Sequence, residues 1–409
     1  MPSVIVLASV ALLVSLAAVA PAAHAGYIQT NLVANSLEYL DPAQVAAGRQ
    51  ILEPTLLNAW GISLRPAGLG GHFWVASNGG GVSLEYVGDV GGLPLFQDDL
   101  KVVTVPGPGR GPGTPTGTVF NGSGNFVVSQ PHPNGPITGP ARFLFVTDNG
   151  TLSAWTERRN SDGTFDRPGE ALVTVDGSAA GVQYFGLAIS PGEDRLYAAN
   201  FGENPGMQIF DQSFADITAS LAASALVQNP FAADGYQPFN VQTIGANVFV
   251  AYARFGTPGE EETGPGLGRL AEFDVDGNLL AVWEGGDYLN APWGLALAPA
   301  GWGPCAGALL VSDFGDGTIA CLDPETRTAY EFLRDGAGTP IAIEGIWGIT
   351  FGNGASLGRA DALYFAAGPR EEEDGIFGRL TVPLPASAWL VLAGLAGVIV
   401  ARRRDRAPR

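Results

Sequence analysis

The stretch from Asn290 to Asp323 reads NAPWGLALAPAGWGPCAGALLVSDFGDGTIACLD. An aromatic-Gly step opens one apolar strand; a turn follows, then a second apolar strand ending in Asp, a glycine turn, and a third strand. The step Trp293-Gly294 returns as Trp347-Gly348, Phe239-Asn240 and Phe185-Gly186 at intervals of 54 residues, and more loosely as Thr116-Gly117 and Trp60-Gly61. One small sheet cannot bury both of its faces alone, so six such units must stack on one another. The repeat therefore predicts an all-β, six-bladed β-propeller.

Working outward, each copy resolves into short strands. Blade 1 begins at Trp60 and ends near Val105, and a Gly/Pro-rich linker (106–115) leads to blade 2. Blade 2 carries an insertion from Ser129 to Pro140 and a hairpin turn at Asn160-Ser161-Asp162-Gly163. Blade 3 starts at Phe185, and its Ala/Ser-rich tail, Phe214 to Leu226, predicts a short helix over the outer edge. Blade 4 starts at Phe239 and turns tightly at Asp276-Gly277. Blade 6, from Trp347, runs out of chain after three strands. The alternating segment Tyr27 to Val33 stands alone at the other end, and it can supply the missing strand, closing the ring and removing an exposed sheet edge.

With 58 Gly, 30 Pro and 15% charged residues in 409, the composition suits many tight turns between buried strands. A single propeller body spanning 26–382 is expected. Residues 1–25 are apolar and end in Ala23-His24-Ala25, a small-x-small pattern that predicts a secretory signal peptide cut before Gly26, though the basic leading region is missing. At the other end, Ala386 to Ala401 is an uncharged apolar run of about the minimum length for a membrane span, followed at once by an Arg cluster from Arg402 to Arg406. Basic residues stay cytoplasmic, which would place the body outside. Without residues 402–409 the chain holds 16 basic and 39 acidic side chains, net −23. Such a surface repels nucleic acid and anionic lipid and favours cations or basic partners.

The tail, Val382-Pro383-Leu384-Pro385-Ala386-Ser387 followed by the apolar run and the arginines, resembles the PEP-CTERM sorting signal in its VPLP variant, with Leu384 where the name-giving Glu sits. The resemblance implies that 383–409 is a sorting signal processed by an exosortase-type transpeptidase. It further implies that the protein is exported to the cell surface or medium of a Gram-negative bacterium that makes extracellular polysaccharide. An ordinary C-terminal membrane anchor is the alternative.

Cys305 and Cys321 are the only cysteines, and both lie in the organising repeat. In an oxidising compartment so close a pair predicts a disulfide. The competing reading is two buried thiols, because strict hairpin register would set Cys321 opposite about Leu309.

The aromatic-Gly steps admit two roles: lining the mouth of the central channel, or packing between blades while Gly lets neighbouring backbones approach. At the end of each second strand stands Asn78, Asp148, Asn200 or Asp313, with Ala253 and Gly368 at the equivalent points of blades 4 and 6. These oxygen donors could hold Ca²⁺, or they could cap the turns that follow. Where the polar residue is missing, an acidic run follows: Glu260-Glu261-Glu262 in blade 4 and Glu371-Glu372-Glu373-Asp374 in blade 6. Both runs are expected on the same face as the Asx positions. Asp274-Val275-Asp276-Gly277-Asn278 lacks the spacing of a Ca²⁺ loop and reads as a hairpin turn. Only His72 and His132 remain after the leader, and no nucleophile elbow, P-loop or dinucleotide fingerprint occurs.

The repeat resembles NHL-type six-bladed propellers. The run Asn58-Ala59-Trp60-Gly61-Ile62, with Phe73-Trp74-Val75-Ala76 and Asn78-Gly79-Gly80-Gly81, is similar to a family of exported bacterial propellers of unassigned function. That likeness implies fold and location and leaves the activity open. Two readings follow: a non-enzymatic binding or matrix module that engages polysaccharide or a basic partner, and a Ca²⁺-dependent hydrolase or lactonase of the six-bladed type. The second needs a channel Glu beside Asn and Asp, and no first strand offers one convincingly.

Overall fold

The structure, a computed structural model, describes residues 26–383. The expected leader (1–25) and all but the first residue of the expected sorting tail lie outside the described residues. Among the described residues no helix is long and apolar enough to cross a membrane.

Six sheets form the blades of a propeller, and the inner strand carries the aromatic-Gly step in blades 1, 3, 5 and 6, Phe239-Asn240 in blade 4 and Thr116-Gly117 in blade 2. Blade 1 is built from Ala59–Leu64, Phe73–Ser77 and Val82–Gly88, with Val102–Thr104 outermost. Blade 2 uses Pro115–Phe120, Phe143–Thr147, Thr151–Trp155 and Leu172–Asp176. Its insertion is a separate hairpin, Val127–Gln130 with Ile137–Pro140. Blade 3 has three strands, Tyr184–Ile189, Arg195–Asn200 and Gly206–Asp211. The tail expected to form a helix at Phe214 to Leu226 instead makes a 3-10 turn, Thr218–Leu221, and enters an α-helix only at its end, Ala225–Gln228, whose buried Leu226 covers the open edge. Blade 4 comprises Tyr236–Ile244, Asn247–Thr257, Gly268–Phe273 and Leu279–Trp283. At its last turn Asp274 accepts from the amides of Asp276 and Asn278, so the turn reading of that segment holds. Blade 5 is Pro292–Leu297, Leu309–Asp313, Ile319–Asp323 and Thr328–Phe332.

Blade 6 closes the ring as the leftover strand predicts. Ile346–Phe351, Ala362–Ala367 and Ile376–Thr381 are joined by Ile28–Ala34, which runs antiparallel to the last of them with Ile28 opposite Thr381. A further short strand, Ile51–Leu52, adds to it in parallel and has no sequence signal of its own. The clasp is reinforced by side chains: Asp374 accepts from Asn35 Nδ2 at 2.7 Å and Tyr39 Oη at 2.8 Å. The Tyr27 hydroxyl donates to the Trp302 carbonyl and accepts from the Cys305 amide, tying the first residues of the body to blade 5 as well.

Cys305 and Cys321 form the expected disulfide. Strict register sets Cys321 opposite Leu310, one residue from the expected partner, but Cys305 sits outside the hairpin in a single helical turn, Gly303–Cys305, that folds back over the strand. The register objection applied to strands and does not apply to that turn.

The aromatic-Gly steps perform both roles considered. A Cβ on Gly348 would stand 2.5 Å from the Trp60 carbonyl, and one on Gly294 the same distance from that of Trp347, so glycine is what lets inner strands interlock around the ring. Blade 4 carries Asn240 at that point, and its side chain donates to the Trp293 carbonyl at 2.7 Å instead. The preceding aromatics meet on the propeller axis. Trp60 stacks on Trp347 with centroids 3.5 Å apart and meets Trp293 and Phe185 edge-on, while Phe239 bridges Phe185 and Trp347. Five of the six blades thus contribute one ring to a plug that divides the channel; blade 2 contributes Thr116, whose hydroxyl donates to the Tyr184 carbonyl.

Candidate functional site

On one side of the plug the inner strands enclose a cavity of about 310 Å³ with neutral polar groups such as Asn240, Gln242 and Thr350 on its wall. On the other side lies a pocket of about 300 Å³ of quite different chemistry. Trp60, Phe185 and Trp347 form its floor, and Asp148, Glu261, Glu372 and Gln183 form its walls. Of the Asx positions and acidic runs, Asp148, Glu261 and Glu372, one from each of blades 2, 4 and 6, meet here.

Each carboxylate arrives by a different device. Asp148 follows the second strand of blade 2 and accepts from Thr114 Oγ1 and from Asn78 Nδ2, the latter at 2.7 Å. Glu261 is carried by Glu260–Glu262, a short strand that pairs back on the extended second strand of blade 4, opposite Phe255. Its turn docks on blade 3, where the Gly259 amide donates to the Phe201 carbonyl at 2.9 Å. Glu372 is held by an unusual backbone: Arg370, Glu371 and Glu372 all have positive φ, at 61°, 54° and 68°. Successive left-handed residues without glycine cost about 1–2 kcal/mol each, and such strain persists where surrounding contacts fix it, often at functional sites. Asn58, itself at positive φ, donates to Glu372 Oε2 at 2.7 Å and accepts from the Trp347 indole N–H, coupling the plug to the pocket wall.

Burial pushes all three carboxyls above their ordinary range. Glu261, further raised by the charges of Glu372 and Glu260, reaches about 7. Asp148 and Glu372 are raised by burial against the lowering effect of their donors, Thr114 and Asn78 for the first and Asn58 for the second. Among the described residues none of the three has an ion-pair partner, whereas neighbours in the same acidic runs do. Glu262 faces Arg254, and Glu373 and Asp374 face Arg370. The floor adds a free donor: Trp60 is 3% exposed and its indole N–H has no acceptor among the described residues.

The remaining residues considered as metal ligands or acidic-face groups are placed elsewhere. Asn200 accepts from the amides of Gln183 and Gly202 and donates to the Glu203 and Asn204 carbonyls, which caps its turn. Asp313 is fully buried and accepts from the Asn290 amide at 2.9 Å. Asn78 is spent on Asp148 and the Thr114 carbonyl. Asn78 and Asp148 meet each other, but Asn200 is tied into its own turn and Asp313 to the Asn290 amide, so the four do not gather as a ligand ring. Among the described residues no three His, Cys, Asp or Glu side chains come together closely enough to hold a metal. Asp374, expected on the acidic face, is 5% exposed and serves the ring closure instead. Glu260 and Glu371 are exposed. The aromatic floor matches the channel-mouth role considered for the aromatic-Gly steps; Asn58 and Gln183 were not legible as site residues, though Asn58 stands beside such a step. His72 is buried against Asp98 at 2.8 Å and lies far along blade 1, while His132 lines a separate surface pocket with Arg167 and Glu170.

No family model matches the chain. It is 28% identical over 331 residues to an uncharacterised protein of Acanthamoeba polyphaga mimivirus, covering 80% of this chain and 76% of that one. A second uncharacterised protein of the same virus is 27% identical over 342 residues, covering 80% and 81%. Solved structures with a similar chain path include a protein of unknown function from Bacteroides thetaiotaomicron, at 12% identity, TM-score 0.45, and 80% and 70% coverage. A β-propeller domain from Myceliophteria thermophila matches at 10% identity, TM-score 0.40, and 80% and 84% coverage. A gluconolactonase from Xanthomonas campestris matches at 15% identity, TM-score 0.32, and 59% and 82% coverage.

Proposed function

We propose that this propeller is a non-enzymatic binding module whose acidic axial mouth takes a positively charged ligand. The observation that carries the reading is the convergence of Asp148, Glu261 and Glu372 on one pocket with no cation partner among the described residues. Carboxylates gathered on low-dielectric walls focus a negative potential that a mobile cation can satisfy. Donors behind the carboxylates, Asn78, Thr114 and Asn58, fix their orientation so that little ordering is left for the ligand to supply. Catalysis would have to rest on the carboxylates alone, since no histidine, cysteine or hydroxyl side chain lines the pocket.

Export to the cell surface or medium, with the C-terminal tail processed by an exosortase-type transpeptidase, is part of the same proposal. It rests on residues 1–25 and 383–409 alone. A disulfide in blade 5 is consistent with an oxidising compartment.

Titration calorimetry of calcium chloride and of a soluble organic amine into the protein, at pH 8 and low ionic strength, tests the binding claim. At least one cation should bind, and the variant carrying Asp148→Asn, Glu261→Gln and Glu372→Gln should lose about 100-fold in affinity, roughly 2.7 kcal/mol. A parent that binds neither cation, or a variant that binds as well as the parent, refutes it. A chelator-sensitive turnover of a lactone or ester panel would overturn the non-enzymatic part.

A further inference from the structure

We propose, building on the cation-binding reading above, that the axial mouth selects an organic ammonium group over a bare divalent ion. Three features of the pocket point the same way.

The first is the floor. Hard divalent cations require six or more oxygen ligands, and Trp60, Phe185 and Trp347 offer none from below. An alkylammonium gains from the carboxylates around its N–H groups, and its carbons meet the apolar rim of the aromatic floor. The second is the spacing of the walls. Asp148, Glu261 and Glu372 come from blades 2, 4 and 6, and among the described residues no three such groups approach to metal-holding distance. Hydrogen bonds of about 2.8 Å from three N–H donors fanned out from one nitrogen span a wider ring than metal bonds do.

The third is capacity. A cavity of about 300 Å³ exceeds a bare ion many-fold and accommodates an ammonium together with its carbon skeleton. The ligand class is therefore a protonated amine on a carbon frame, supplied either by an amino sugar or by a lysine side chain on a partner protein.

The strained turn at Arg370–Glu372 fits this assignment, since it sets the Glu372 carboxylate over the aromatic floor instead of out in solvent beside Glu371. Binding demands ionised walls. Affinity should accordingly rise with pH through the range in which Glu261, at about 7, loses its proton.

The test titrates four probes into the full chain at pH 8 and low salt: glucosamine, a lysine-containing tripeptide with blocked ends, calcium chloride and, as a control, N-acetylglucosamine. One of the two amines should bind at least 10-fold more tightly than calcium, and the acetylated sugar should not bind. The same amine should bind about 10-fold more weakly at pH 5.5. Which amine wins separates the sugar source from the protein source, and either result supports the proposal. Calcium binding without amine binding overturns this proposal and leaves the cation-binding reading standing. Binding of no cation refutes both. Equal binding of glucosamine and its acetylated form also overturns it, since charge would then play no part. Glu261→Gln, a change in a short surface hairpin, should lower amine affinity while the melting temperature holds, and a fall in melting temperature with unchanged affinity would count against the assignment.

Discussion

The inner strands and the acidic mouth of this protein occupy the same axis and follow opposite rules. Inner-strand positions repeat in five blades of six: a ring, then a glycine or Asn240, then mostly aliphatic and hydroxyl side chains, so the cavity on one side of the plug has neutral walls. The mouth on the other side is assembled from parts that occur once each, a strand-end Asp in blade 2, a doubled-back hairpin in blade 4 and a left-handed turn in blade 6. Repetition yields packing, and departure from repetition yields a site. Stability should therefore reside in the first region and recognition in the second, and three experiments can break that division.

The largest effect is expected at the ring closure. A chain beginning at Ser36 lacks Ile28–Ala34 and leaves two unpaired edges, at the last strand of blade 6 and at Ile51–Leu52. The loss should be several kcal/mol out of the roughly 5–15 typical of folded domains, and the melting temperature should fall by about 10 °C or more. A melt within a few degrees of that of a chain starting at Gly26 would show that the clasp contributes little.

Next comes Glu85, a carboxyl lodged in the seam between blades 1 and 2 opposite Trp74. It is fully buried, and burial pushes it well above the usual carboxylate range against the small lowering effect of the neighbouring Ser83 hydroxyl. Because the folded value lies above the unfolded one, its contribution to stability is fully present below the unfolded value and is lost as pH rises through the folded one. Glu85→Gln should remove that loss and raise stability at pH 9 by about 1–3 kcal/mol, read as a shift in urea midpoint, with ligand affinity unchanged. A parent whose midpoint is flat from pH 5 to 9 would contradict it.

The smallest effect belongs to Glu261. Its folded value of about 7 also lies above the unfolded one, so its ionisation opposes folding as pH rises through 7. The group is partly solvated, and Glu261→Gln should stabilise by less than about 1 kcal/mol at pH 8 and by nothing at pH 5. Thermal melts at the two pH values check the sign. A marked loss of stability would mean that the mouth belongs to the structural region after all.

Much of the first region was legible in the sequence. Trp60, Phe185, Phe239, Trp293 and Trp347 announce themselves by spacing, and an orphan alternating strand at 27–33 has few places to go once blade 6 is seen to lack one. The face shared by Asp148, Glu261 and Glu372 was legible for the same reason, since strand ends and loops alternate predictably around a ring. What stayed hidden depends on backbone sign and side-chain direction. Arg370-Glu371-Glu372 carries no glycine to betray three left-handed residues. Asp374 follows three glutamates in sequence but turns inward to Asn35 and Tyr39, which only the closed ring brings near. Asn200 and Asp313 look like Asp148 in the repeat, yet Asn200 is taken up by its own turn and Asp313 is buried against the Asn290 amide.

The clasp at blade 6 has a topological consequence. Ile28 and Thr381 are cross-strand neighbours, so the two ends of the described body leave the molecule side by side, about 5 Å apart at their Cα atoms. The ring is indifferent to where its chain is cut. A short tether joining residues 27 and 382, with new ends opened in the exposed loop at 336–338, would give a circular permutant with the same six sheets, and an object fixed through either end would present the acidic mouth at the same angle.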